Sequence, residues 1–222
     1  ELFSEYLRLS KKDISKYFKS DAYKHVNCPA CNSKDKEFAF SKTGFKYVLC
    51  KKCGTLYLSP RPPIWQFERF YAESPSSNFW AKVFFPAVAE ARREKIFKPR
   101  VEQISLLCQR YNFFPDTVIE VGAGYGIFLE EWKKKFPKTK VCAIEPNPYM
   151  VEVCKKKGIE VLPTMAEKAN GWFNKADLLV CFEVIEHIYS PFDFVSSLYR
   201  LVKPGGYILI TGPVSYTHLR AH

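Results

Sequence analysis

The stretch Val118-Ile-Glu-Val-Gly-Ala-Gly-Tyr-Gly-Ile-Phe-Leu129 constrains this chain more than any other. An apolar strand runs into Gly122, Gly124 and Gly126, and a helical pattern begins directly after them. Glycine lets a chain turn sharply and lets a ligand come close to the backbone. A strand, a glycine-rich turn and a helix in that order open a βαβ unit, the building block of a parallel sheet.

The rest of the C-terminal half keeps that rhythm. Apolar runs at 117–121, 141–144, 176–182 and 207–211 read as buried strands, and 127–135, 149–157 and 193–202 read as helices. Alternation of this kind predicts an α/β fold with a Rossmann-like, mostly parallel sheet over residues 99–213. Upstream, residues 1–24 read as a helical extension of one or two short helices. Residues 25–60 hold two cysteine pairs and aromatic strands around Phe38 and Phe45. Pro60-Arg-Pro-Pro63 is a stiff link, because proline continues neither a helix nor a central strand. Residues 61–98 are an aromatic-rich linker and helical segment; the helical pattern from Ala87 to about Arg110 is interrupted by Pro99.

The glycine turn is not the dinucleotide fingerprint G-x-G-x-x-G, because its third glycine position holds Ile127. It reads G-x-G-x-G, with Glu120 two residues ahead of the first glycine. The next strand, Val141-Cys-Ala-Ile, ends in Glu145-Pro146. A carboxylate at that strand end can accept both hydroxyl hydrogens of a ribose.

These residues resemble motifs I and II of the class I S-adenosylmethionine (SAM)-dependent methyltransferases. The resemblance implies that Gly122, Gly124 and Gly126 pass beneath the methionine part of SAM. It implies that Glu120 helps hold the loop and the SAM amino group, and that Glu145, with Pro146 beside it, meets the ribose. Ala176–Ile188 resembles the family's fourth strand and the loop after it, which brings Phe182 and Glu183 to the pocket. Leu201–Ile210 resembles the next helix, turn and fifth strand, with Lys203-Pro-Gly-Gly206 as the turn that stops the helix.

Glu183, Glu186 and His187 follow the fourth strand, where open parallel sheets bind ligands. Three readings stay open. The loop closes the SAM pocket and the histidine packs locally; or His187, with Glu186 beside it, is the general base of the transfer; or the E-x-x-E-H spacing, similar to the ubiquinone-pathway O-methyltransferases, holds a divalent ion.

Cys28-Pro-Ala-Cys31 and Cys50-Lys-Lys-Cys53 lie 18 residues apart, the spacing of a zinc ribbon. Four thiolates leave a tetrahedral ion no open position, so Cys28, Cys31, Cys50 and Cys53 are expected to hold a structural zinc. Cys108, Cys142, Cys154 and Cys181 sit among apolar neighbours and read as core residues. The string from Cys28 to Pro62 resembles the zinc-ribbon leader of bacterial methyltransferases. Some of those act in nucleotide-sugar or surface-polysaccharide pathways, sugar C-methyltransferases among them; another leader-bearing group methylates guanine in ribosomal RNA.

Charge bears on the acceptor. Residues 1–100 carry 20 Lys and Arg against 10 Asp and Glu, while residues 101–222 carry 14 against 13. The basic excess of the N-terminal half suits an anionic partner. A small sugar-nucleotide-like acceptor is preferred to RNA, because no platform of stacking aromatics and arginines is readable. Oligomeric state is not set by the sequence. No apolar run is long enough to span a bilayer and no signal peptide opens the chain, so a cytoplasmic enzyme is expected. The last residues, from about 214 to 222, resemble vector-derived sequence, so the natural protein is expected to diverge near residue 213. Two rival classes remain. A zinc-ribbon interaction protein with a degenerate, ligand-free Rossmann-like domain is disfavoured by the intact glycines and Glu145. An NAD enzyme is disfavoured by Ile127.

Overall fold

A computed structural model describes residues 1–213; the expectation for the 214–222 tail lies outside the described residues. The chain divides into two compact units, Glu1–Ala87 with Tyr189–Phe192, and Val88–Ile188 with the residues from Asp193 onward.

The N-terminal unit starts with α1 (Leu2–Tyr17). A three-stranded antiparallel sheet follows, β1 (Lys36–Lys42), β2 (Phe45–Cys50) and β3 (Leu56–Leu58), in that order across the sheet. The β1–β2 hairpin closes on Thr43 and Gly44, both at positive φ (51° and 86°), the pairing a two-residue turn demands. Then come α2 (Ile64–Glu73) and α3 (Pro75–Phe79). Two buried polar side chains tie these pieces together. Asp13 of α1 accepts the Ser76 amide at 2.7 Å, and Gln66 of α2 bonds both the amide and the carbonyl of Lys19. Phe18 packs its ring against Phe45, Phe67 and Phe70. The segment Tyr189–Phe192 is gripped by Arg61, which stacks 3.7 Å over the Tyr189 ring and donates to its carbonyl at 2.8 Å.

The helical run from Pro75 continues without a break to Arg110. It passes through a π-helical turn (Trp80–Phe84), α4 (Phe85–Arg92), a second π-helical turn (Arg93–Phe97) and α5 (Lys98–Arg110). Each π turn ends two residues before a proline, Pro86 and Pro99, with Phe85 N–H reaching back to Trp80 and Lys98 N–H to Arg93. A proline ring crowds the carbonyl four residues back, and a turn widened by one residue relieves that clash. The interruption expected at Pro99 is therefore a widening. The boundary between the two units falls inside α4.

The second unit is the α/β fold the strand rhythm predicts. Its sheet is parallel throughout, in the order β6-β5-β4-β7-β8. The strands are β4 (Thr117–Val121), β5 (Lys140–Ile144), β6 (Glu160–Leu162), β7 (Ala176–Phe182) and β8 (Val202–Thr211). The helices between them are α6 (Ile127–Lys135), α7 (Pro148–Lys156) and α8 (Pro191–Leu201). Strand residues alternate between the two faces. Val118, Ala143 and Val180 pack with α5 and α6 through Val101, Ile104, Phe128 and Trp132. Ile119, Cys142 and Cys181 pack with α8 through Phe194, Leu198 and Leu201. Fully burying a side chain of this size contributes about 1.5–3 kcal/mol. Cys108, Cys142, Cys154 and Cys181 are all buried, as core residues should be.

One turn differs from expectation. Lys203–Gly206 does not separate helix from strand. β8 begins at Val202, directly after α8, and sets the four residues 203–206 against the single residue Asp177: Ala176 pairs with Val202, while Leu178 pairs with Tyr207. Gly206 sits where a Cβ would lie 2.8 Å from the Asp177 carbonyl, so that insert needs a residue without a side chain. No helix among the described residues is long and apolar enough to cross a membrane.

Candidate functional site

The glycine loop stands at the carboxyl end of β4, and its three glycines are left-handed, with φ of 71°, 54° and 62°. Close packing accounts for two of them. A Cβ on Gly122 would lie 2.5 Å from Val184 Cγ2, and one on Gly126 would lie 2.7 Å from Ile159 and 2.9 Å from Cys154. At Gly124 a Cβ would meet only Met150 Sδ at 3.8 Å, an ordinary contact, so packing does not demand a glycine there.

Glu145, at the end of β5, fastens this loop. One carboxylate oxygen accepts the Gly124 amide at 2.8 Å and the other accepts the Asn147 amide at 2.8 Å. Burial raises its pKa, and the Asn147 and Gly124 amides oppose that rise. Pro146 beside it is exposed, and Asn147 caps α7 by accepting the Tyr149 and Met150 amides. The Gly122 amide donates to Ile144 and the Gly126 amide to Ala123.

Glu120 is the least ordinary residue of the sheet. It lies in a central strand, 3% exposed, and its Oε2 has no hydrogen-bond partner among the described residues. Burial raises its pKa well above the carboxylate range; Arg100 pulls it down and Glu145 adds to the rise. A buried, unpaired polar atom costs a few kcal/mol. Such an atom is tolerated where a ligand donor completes it.

Around it stand Phe182 and Arg100. Phe182 is buried, edge-on to Phe128, and Arg100 of α5 lies 4.2 Å over its ring. Burial lowers the Arg100 pKa, with Glu183 and Glu120 opposing. No motif singles out Arg100, which sits among the scattered basic residues of the first half of the chain.

Glu183 follows β7 at φ 54°, a conformation a glutamate adopts only under constraint. Its amide donates to the Thr211 carbonyl, and its carboxylate accepts the Thr211 hydroxyl at 2.8 Å. Glu183 thus ties the ends of β7 and β8 together. Glu186 and His187 lie in the short 3₁₀ turn Ile185–His187. The His187 side chain is 62% exposed, with Nε2 3.9 Å from Glu186. The Glu183, Glu186 and His187 side chains do not converge on one point. Among the described residues the one group placed to share a metal ion is the cysteine cluster.

In that cluster all four sulfurs lie within 4.8 Å of one another. Cys28 and Cys53 are 3.6 Å apart, as are Cys31 and Cys50. A tetrahedron with metal–sulfur arms of about 2.3 Å has edges of about 3.8 Å. Two matching knuckles build it. The Cys28 carbonyl accepts the Asn32 amide and the Cys50 carbonyl accepts the Gly54 amide, with Asn32 and Gly54 both left-handed.

The chain was compared with known proteins. A family model described as a methyltransferase domain matches residues 88–221. The mitochondrial ubiquinone biosynthesis O-methyltransferase of Schizosaccharomyces pombe is 30% identical over 111 residues, 46% of this chain and 40% of that protein. The ubiquinone biosynthesis O-methyltransferase of Pseudomonas paraeruginosa is 28% identical over 133 residues, 54% of this chain and 55% of that protein. The chain spans about half the length of the curated relatives it matches. These relatives are ubiquinone-pathway enzymes, not the sugar methyltransferases that the cysteine leader resembles.

Among solved structures, the plantazolicin methyltransferase BpumL in complex with SAH aligns with a TM-score of 0.54 at 14% identity, covering 64% of this chain and 55% of that one. A putative SAM-dependent methyltransferase from Methanococcus maripaludis aligns at 0.50 and 20% identity, covering 61% and 64%. At these identities the likeness shows the fold.

Proposed function

The chain belongs to the methyltransferase-domain family, and on that premise we propose that it is a SAM-dependent methyltransferase whose cofactor site is the glycine loop with Glu120 and Glu145. The buried, unpaired oxygen of Glu120 carries this reading. It lies in the strand that feeds the loop, where an ammonium group of a ligand would complete it. Arg100 offers a guanidinium close by for a ligand carboxylate, so the pair matches the two charges of an amino acid. Glu145 holds the loop with two amides and keeps lone pairs for the ribose hydroxyls. Gly124 allows close approach while Gly122 and Gly126 let the loop pack on the protein behind it, Pro146 and Phe182 border the site, and Glu183 shapes its rim through Thr211. Bound SAM supplies an electrophilic methyl group on a sulfonium. His187, exposed beside Glu186, is assigned as the base that takes the proton from an acceptor hydroxyl, a reading supported by its exposure.

The acceptor is read as a small molecule. The relatives' names favour transfer to oxygen. The basic first half of the chain favours an anionic acceptor, for which a sugar nucleotide remains the second reading. The four cysteines are assigned to a structural zinc, supported by sulfur spacings close to those of a tetrahedral site.

Calorimetric titration of the full chain with SAM and, separately, with NAD tests the cofactor. SAM binding without NAD binding is expected. NAD binding without SAM binding overturns the assignment, and binding of neither leaves the interaction-protein class. Mass spectrometry of candidate acceptors after incubation with SAM identifies the product.

A further inference from the structure

The back of the glycine loop is held as firmly as its front, by residues no sequence motif marks. Cys154 and Lys157 stand three positions apart, at the end of α7 and just past it, and so share a helix face. The Cys154 thiol donates to the Gly124 carbonyl at 3.2 Å, and the Lys157 ammonium donates to the Tyr125 carbonyl at 2.9 Å. Burial, with Glu120 and Glu145 adding to it, pushes the Cys154 thiol up to about 12, so it stays protonated and able to donate. Lys157 also pairs with Glu130 of α6 at 2.8 Å, and both side chains are about three-quarters buried. Burial would raise the Glu130 pKa, but Lys157 and Arg93 outweigh it and bring it to about 2.

A trans peptide points its N–H opposite its C=O. Holding the Gly124 carbonyl back therefore turns the Tyr125 amide toward the front of the loop. Holding the Tyr125 carbonyl fixes the Gly126 plane, whose amide closes the turn onto Ala123. Left-handed glycines do not hold such planes by themselves, because they move freely among backbone conformations. The ion pair anchors the loop to α6, the helix that the loop itself starts.

We propose that Lys157 is a positioning residue for the cofactor: paired with Glu130, its ammonium fixes the Tyr125 carbonyl and so presets the loop that receives the ligand. This rests on the SAM reading above. Lys157 acts before chemistry, on the free protein. Its loss raises the SAM dissociation constant and leaves turnover at saturating SAM near the wild-type value.

The test is Lys157→Met, which keeps the length and apolar stem, alongside Lys157→Arg, which keeps the charge and donors. Calorimetry should show SAM affinity falling about ten-fold or more in Lys157→Met, as for a lost charged hydrogen bond, with most of it restored in Lys157→Arg. The methionine variant should raise KM for SAM while kcat moves by less than about three-fold, a split that general destabilisation does not produce. Amide exchange of residues 124–126 in ligand-free protein should quicken in Lys157→Met. Wild-type SAM binding with Lys157→Met within about two-fold of it overturns the proposal. If wild type itself binds no SAM, the cofactor reading fails instead. Amide exchange then decides the role of Lys157: unchanged exchange at 124–126 overturns it, and faster exchange upholds it.

Discussion

Replacing Glu145 separates two roles that one carboxylate performs. In the ligand-free protein it accepts the Gly124 and Asn147 amides, each at 2.8 Å. With SAM it is expected to accept ribose hydroxyls as well. Charged hydrogen bonds contribute about 1.5–3 kcal/mol each, so Glu145→Ala should cost the empty protein about 3 kcal/mol or more. Glu145→Gln is more informative. Burial has raised the Glu145 pKa despite the two amides, so its ionised form carries a desolvation penalty that a neutral side chain escapes. Glutamine keeps one accepting oxygen, and its NH₂ meets the other amide. Its ligand-free loss should be about 1 kcal/mol, from one hydrogen bond lost and one penalty relieved. Its SAM affinity should still fall about ten- to a hundred-fold, because the charged acceptor is gone. Urea unfolding followed through Trp132 and Trp172, the tryptophans of the α/β unit, measures the first quantity. Calorimetry measures the second. Unaltered ligand-free stability in Glu145→Ala would refute the loop-fastening role. SAM affinity within about two-fold of wild type in Glu145→Gln would refute the ribose role.

Other residues give independent checks. Elemental analysis should find about one zinc per chain, as a closed four-thiolate site requires, and Cys28→Ser should lose it and loosen the N-terminal unit; folded, metal-free protein contradicts this. In ligand-free protein, Gly122→Ala and Gly126→Ala should destabilise more than Gly124→Ala, since only the first two bring a Cβ under 3 Å from a neighbour; equal thermal shifts would remove the packing argument. The Glu120 pKa is raised in the folded protein, so ionising it costs stability, and the cost grows as pH climbs above the ordinary carboxylate range toward the folded value. Glu120→Gln should therefore stabilise the empty protein at neutral pH while weakening SAM binding. A ligand ammonium at Glu120 lowers that pKa again, so SAM should bind wild type with proton release and with affinity rising with pH in that window. A binding enthalpy independent of the buffer's ionisation enthalpy argues against contact between Glu120 and the ammonium.

Much of the α/β unit was legible because its strands are buried on both faces and read as unbroken apolar runs. The break at Gly122 then located the loop, and Glu145 followed from its place at a strand end. What escaped was set by contacts far apart in sequence. Arg100 acts electrostatically on Glu120 from a helix that follows the widened turn before Pro99, and no local pattern encodes that. The Thr211 hydroxyl that donates to Glu183 stands 28 positions on, and nothing local to Glu183 foretells that bond. β6 is three residues long and partly exposed, too short for any periodicity to register. Lys203–Gly206 carries the composition of a turn, but pairing with β7 on both sides makes it an insert within a strand. In the N-terminal unit the cysteine spacing announced the cluster, while the Asp13–Ser76 bond spans 63 positions and leaves no sequence trace.

The capture of Tyr189–Phe192 by the N-terminal unit changes how this protein can be dissected. The chain crosses between its units three times, after Ala87, after Ile188 and after Phe192. A fragment beginning at Val88 would not be an isolated α/β unit. It would carry a four-residue strip whose stacking guanidinium, Arg61, had been cut away, just downstream of His187. Gene fusions, deletions and domain swaps that treat residues 1–87 as a detachable leader therefore alter the segment just after His187, whatever they do to the cysteine cluster. An activity lost on trimming residues 1–87 is no measure of the cysteine cluster's worth until Arg61→Ala has been assayed in the intact chain.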